Sequence, residues 1–133
     1  MESKYILKTV LSVIIVCFFC CSCTVPHQES ASDPWSKVEF NPDNLDQQGL
    51  RGPADGKVAV SYEFAIPNTE TCKRQVRAID PTVEFLCGSR GRIGAGKNEC
   101  LCIGSTHQPN YRDVLVNLAK LPYVKRIIEC YFE

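Results

Sequence analysis

Hydrophobic positions fall into two unlike stretches. From Thr9 to Phe19 the run is broken only by polar residues of small size, whereas after residue 57 apolar residues return in short periodic blocks separated by Gly, Pro, Asn and Asp. Val58, Val60, Tyr62, Phe64 and Ile66 recur at period two, which places them on one face of a strand that Pro67 ends. Asn68 and Thr69 offer a helix N-cap, after which Cys72, Val76 and Ile79 fall at helical spacing until Asp80 and Pro81 stop the helix. Val83, Phe85 and Cys87 give a second strand, and a glycine-rich turn over 88–96 leads into a third strand over 99–104. Asn110 is placed to cap a second helix, with Asp113 near its positive end and Tyr111, Val114, Leu115 and Leu118 as the buried stripe. Pro122 ends it, and residues 124–132 make a fourth strand.

The order is strand, helix, strand, strand, helix, strand. Two right-handed crossovers would fold it into an α+β domain of ferredoxin-like βαββαβ form, a four-stranded antiparallel sheet with both helices on one face. That topology puts the loop over 88–97 and the start of the first helix at one end of the sheet. Residues 105–110 lie at the other. Loops held by a rigid sheet are where binding usually resides, so these two ends are the candidate sites.

The N-terminal run is a different kind of segment. Lys4 and Lys8 precede it and Cys20, Cys21, Ser22 and Cys23 follow, the layout of a secretory export signal. From Thr9 to Ser22 it has 14 residues, short of the roughly 20 that a hydrocarbon core of about 30 Å requires. Removal is therefore expected in preference to a permanent transmembrane helix. The segment resembles the bacterial lipoprotein signal peptide: Cys23 matches the acylated Cys and Ser22 the small residue before it. The resemblance covers the first 23 residues and implies cleavage before Cys23, lipidation of its thiol and firm attachment to the cell envelope through several acyl chains. Thr24 stands where an Asp commonly signals inner-membrane retention, which implies the outer membrane in a diderm host.

The chain then divides into a signal peptide over 1–22, a lipid-anchored flexible tether over 23–56 and a small domain over 57–133. The tether is expected from a composition rich in Pro, Asp, Asn, Gln and Ser, which can bury little core. Its root-mean-square span would be on the order of 30 Å. Trp35, Val38 and Phe40 are the exception, expected to pack back on the domain.

Charge narrows the partners. The 15 Lys and Arg balance 15 Asp and Glu, and loss of residues 1–22 leaves 13 basic against 14 acidic side chains. That near-neutrality carries no nucleic-acid field, and the third strand lacks the stacking aromatics of an RNA-binding module with this strand order. Within the glycine-rich loop, Arg90, Arg92 and Lys97 together with glycine amides form a candidate anion site. Gly91, Gly96 and Lys97 reproduce most of a nucleotide-binding spacing, but Asn98 replaces the hydroxyl that holds magnesium and the loop joins two strands where that motif runs from strand into helix. No nucleotide cofactor is expected. The plainer reading is a long hairpin turn whose glycines permit positive φ and whose charges stay solvated.

Past residue 57 the cysteines are Cys72, Cys87, Cys100, Cys102 and Cys130. In an oxidising compartment a small domain gains from disulfides, and Cys87 lies on the strand next to Cys100 and Cys102, so a bridge to either is topologically easy. Cys72 and Cys130 read as small core residues. No metal site is expected: Cys100 and Cys102 are one residue apart where zinc sites favour two to four, and His107 falls at the opposite end of the sheet. The function expected is a non-catalytic binding or interaction domain on an envelope lipoprotein, for a peptide, another envelope protein or an anionic ligand. The alternative is a small thiol-dependent enzyme or redox protein with Cys102 as nucleophile and His107 as base.

Overall fold

Short polar side chains that bond their own backbone make turns, and the segment before residue 57 is built from them. The structure is a computed structural model describing residues 33–131. The signal peptide over 1–22, the lipidation site Cys23 and residues 24–32 of the expected tether lie outside the described residues. Asp33 Oδ1 accepts the Trp35 N–H at 3.1 Å and opens a 3-10 turn over Pro34–Lys37. Asn41 Oδ1 accepts the Asp43 N–H at 2.9 Å and opens another over Pro42–Asn44. Asp46 Oδ1 accepts from Gln48 and Leu50, leading into β1 (Leu50–Arg51), which pairs antiparallel with β2 (Val58–Ala59). Between these turns Trp35, Val38 and Phe40 pack against the core and Leu45 joins it. The expected flexible tether is corrected here: from residue 33 onward the chain belongs to the folded unit.

The rest of the order is β3 (Ser61–Pro67), α1 (Glu70–Ile79), β4 (Glu84–Leu86), β5 (Glu99–Ser105), α2 (Tyr111–Lys120) and β6 (Ile128–Cys130). The fold is α+β: two helices, a four-stranded antiparallel sheet in the order β4-β5-β3-β6, and the two-stranded sheet of β1 and β2. Thr69 caps α1 as expected, its side chain accepting the Cys72 N–H at 3.2 Å. Asn110 holds the N-cap position of α2 with φ 56° but makes no side-chain cap bond. The strand expected over 58–66 is interrupted at Val60, whose N–H goes to Thr106 Oγ1 at 2.9 Å. The fourth strand is shorter than expected, because Ile127 exchanges backbone hydrogen bonds with Lys37 (2.7 Å) and Glu39 (2.9 Å) before β6 begins.

Tyr62, Phe64 and Ile66 of β3 form the centre of the core, joined by Val76 of α1 and by Leu115 and Leu118 of α2. Each such side chain, fully buried, contributes about 1.5–3 kcal/mol from apolar area removed from water. Lys37 Nζ donates to the Ala119 carbonyl at 2.7 Å, a cation placed at the negative end of α2. Beneath this apolar layer Asp80 is fully buried, and it is satisfied: Tyr62 Oη donates to it, as do Gln108 Nε2 at 3.1 Å and Thr82 Oγ1 at 2.7 Å. Burial first, and Asp80 second, push the Tyr62 phenol above its ordinary pKa.

Candidate functional site

A link between adjacent antiparallel strands usually takes two to five residues, and the one between β4 and β5 is far longer. It does not hang in solvent as a plain hairpin turn; it folds back over the face of the sheet that the core leaves uncovered. Glu63 and Leu101 point to that face, and each is only 2% exposed. The Glu63 carboxylate accepts the Ile93 N–H at 2.5 Å. Gly91, at φ 56°, passes so close above that a methyl group there would stand 2.8 Å from Leu101 Cδ1. The Ala95 N–H donates to the Arg90 carbonyl at 2.7 Å, and the Asn68 N–H donates to Asn98 at 2.9 Å, tying the loop to the start of α1.

A disulfide between Cys87 and Cys100 closes the base of this loop. Register explains the choice of partner: Leu86 lies opposite Leu101, so Cys87 comes opposite Cys100, whereas Cys102 lies opposite Phe85. Beside the disulfide is a depression of about 530 Å³, lined among others by Asn68, Cys87, Arg90, Gly96, Lys97 and Glu99. Arg90 and Lys97 are thus brought together, and among the described residues neither side chain makes a hydrogen bond or ion pair. Glu99 offsets part of their charge, with one carboxylate oxygen held by the Gly96 N–H at 2.8 Å. Arg92 departs from the expected trio. Its guanidinium carbon lies 5.4 Å from the Tyr131 ring centroid, away from the depression.

Cys102 and His107 are not brought together. Cys102 is fully buried on the core side of β5, and Ser105 already stands about 10 Å further along the strand before the chain turns to His107. Burial pushes the Cys102 thiol up to about 12. The His107 ring is exposed, with Nδ1 3.4 Å from the Gln48 carbonyl oxygen. With Gln48 and Gln108 it lines a separate depression of about 360 Å³ at the far end of the sheet. Cys72 and Cys130 are free and half-buried; burial, then a hydrogen bond with Glu63, raises the Cys130 pKa. Among the described residues no three His, Cys, Asp or Glu side chains converge as metal ligands, and no helix is long and apolar enough to cross a membrane.

Sequence reasoning missed Glu63 and Asp80. Both read as ordinary polar positions, Glu63 at an alternate site on a strand and Asp80 as a helix stop. A usable signal was the length of the loop after β4, since so many residues with four glycines must lie against something. Comparison with protein families, curated proteins and solved structures gives no match for this chain.

Proposed function

We propose that the chain is an exported envelope lipoprotein, acylated at Cys23, whose folded part is a ferredoxin-like, non-catalytic domain binding an anionic ligand between Arg90 and Lys97. The observation that carries the binding role is the depression lined by two cations, Arg90 and Lys97, that have no partner among the described residues, together with glycine backbone, beside a covalently closed loop. Backbone amides and cations in such a concavity suit an anion. The strand order β4-β5-β3-β6, with one helix following β3 and one following β5, supports the ferredoxin-like arrangement. The disulfide supports export, because such bonds persist in oxidising compartments. The thiol-dependent alternative gains nothing from Cys102, a buried thiol that keeps its proton at neutral pH.

Two measurements test the two halves. Intact mass of the mature protein should show Cys23 as an acylated N-terminus; an unmodified chain retaining Met1 would overturn the location. Isothermal titration with inorganic phosphate should show binding that Arg90→Ala and Lys97→Ala each weaken about tenfold, with thermal unfolding unchanged, equivalent to roughly 1.4 kcal/mol per cation. Equal affinity in the parent and both variants would overturn the site.

A further inference from the structure

The depression holding Arg90 and Lys97 does not stop at Glu99. The same Glu99 lines a second, smaller hollow of about 160 Å³, shared with Ala65, Gly94, Tyr123, Lys125 and Arg126. Arg126 is committed to Glu39, with Nε 2.8 Å from Oε1 and Nη2 2.8 Å from Oε2. Lys125 is exposed, and among the described residues its side chain makes no hydrogen bond or ion pair. Tyr123 is fixed by donation from its hydroxyl to Gln75 Oε1 at 2.7 Å, which gives the hollow a firm wall. The first hollow falls within the size range of small-molecule sites, whereas the second has room for little more than one charged group. Glu99 lines both, so the two hollows adjoin.

We propose that the two hollows form one site for an elongated ligand bearing two phosphate groups, the first held by Arg90 and Lys97 and the second by Lys125. This deepens the anion-binding reading above and rests on it. Phosphate suits the site better than carboxylate: its oxygens can meet an Arg fork and a Lys ammonium at once, where a carboxylate has two oxygens to share. Linking the two groups makes the second contact intramolecular, so a ligand of matching length gains affinity without any new kind of contact.

The test is isothermal titration of the disulfide-intact protein with inorganic phosphate and with alkane-α,ω-bisphosphates of graded length. Affinity should peak at one intermediate chain length, about tenfold or more above inorganic phosphate. Lys125→Ala should abolish that peak and leave inorganic phosphate binding unchanged, while Lys97→Ala should weaken every ligand. A flat dependence on length, or a peak that survives Lys125→Ala, with phosphate still bound through Arg90 and Lys97, overturns the two-hollow site and leaves the simpler anion site standing. No binding of phosphate or of any bisphosphate overturns both.

Discussion

On one side of β3, Tyr62, Phe64 and Ile66 are covered by side chains from two helices and from the segment around Phe40, whose ring lies 6.5 Å from that of Tyr62. On the other side, Glu63 and Leu101 are covered by the backbone of a loop. Both faces hold buried side chains, but for different reasons. The helix side is filled by volume, and its one buried carboxylate is met by side chains, Tyr62, Thr82 and Gln108. The loop side depends on close approach: a glycine where no Cβ fits, a carboxylate accepting a backbone N–H, and a covalent tie at the base. Filling by volume makes a stable face; covering by backbone makes a face that can also carry an open, cation-lined depression.

The sharpest break in this comparison should come from the helix side. Phe64→Ala is expected to destabilise the fold by about 3–5 kcal/mol, read as a lower midpoint in urea unfolding, because the vacated volume lies where no segment can relax into it. A cost below about 1 kcal/mol would mean that this face is not close-packed. The next effect belongs to the loop. Reduction of the Cys87–Cys100 bond, which spans a sequence separation of 13 residues, should cost about 3 kcal/mol by releasing chain entropy in the unfolded state. Anion binding should weaken alongside, since Arg90, Lys97 and Glu99 all lie between the two half-cystines. Retained affinity after reduction would show that Glu63 and the backbone bonds hold the loop unaided. The smallest effect sharpens the mechanism. Gly91→Ala should cost about 1–2 kcal/mol, from the left-handed backbone and the contact with Leu101. Gly94→Ala isolates the backbone contribution, because φ is 78° there and nothing lies within 4 Å of the added methyl; equal costs for the two would remove the claim of close approach.

What was legible follows the same divide. The alternation of Tyr62, Phe64 and Ile66 and the stripe of Tyr111, Leu115 and Leu118 announced the helix-side core, because that core obeys the periods of its own elements. The pairing of Cys87 needed the strand register as well, which apolar alternation alone did not supply. Asp33, Asn41 and Asp46 belong to the stretch whose polar composition predicts a linker. Their side chains instead accept local N–H groups and fold the segment onto the body, a use that composition alone does not distinguish from disorder. At the candidate site, Arg90 and Lys97 were found from their setting among glycines, while the departure of Arg92 toward Tyr131 depends on a fold-back that has no period to read.

The Val38 and Ile127 bridge has a mechanical side. Tension applied to the polypeptide upstream of Asp33 reaches the rest of the fold first through the two backbone hydrogen bonds that Ile127 shares with Lys37 and Glu39, and through the Lys37 ammonium on Ala119. A tug from that direction is thus delivered to α2 and to the run into β6. The Cys87–Cys100 disulfide sits on the β4 and β5 side of the sheet, away from β6 and this clasp.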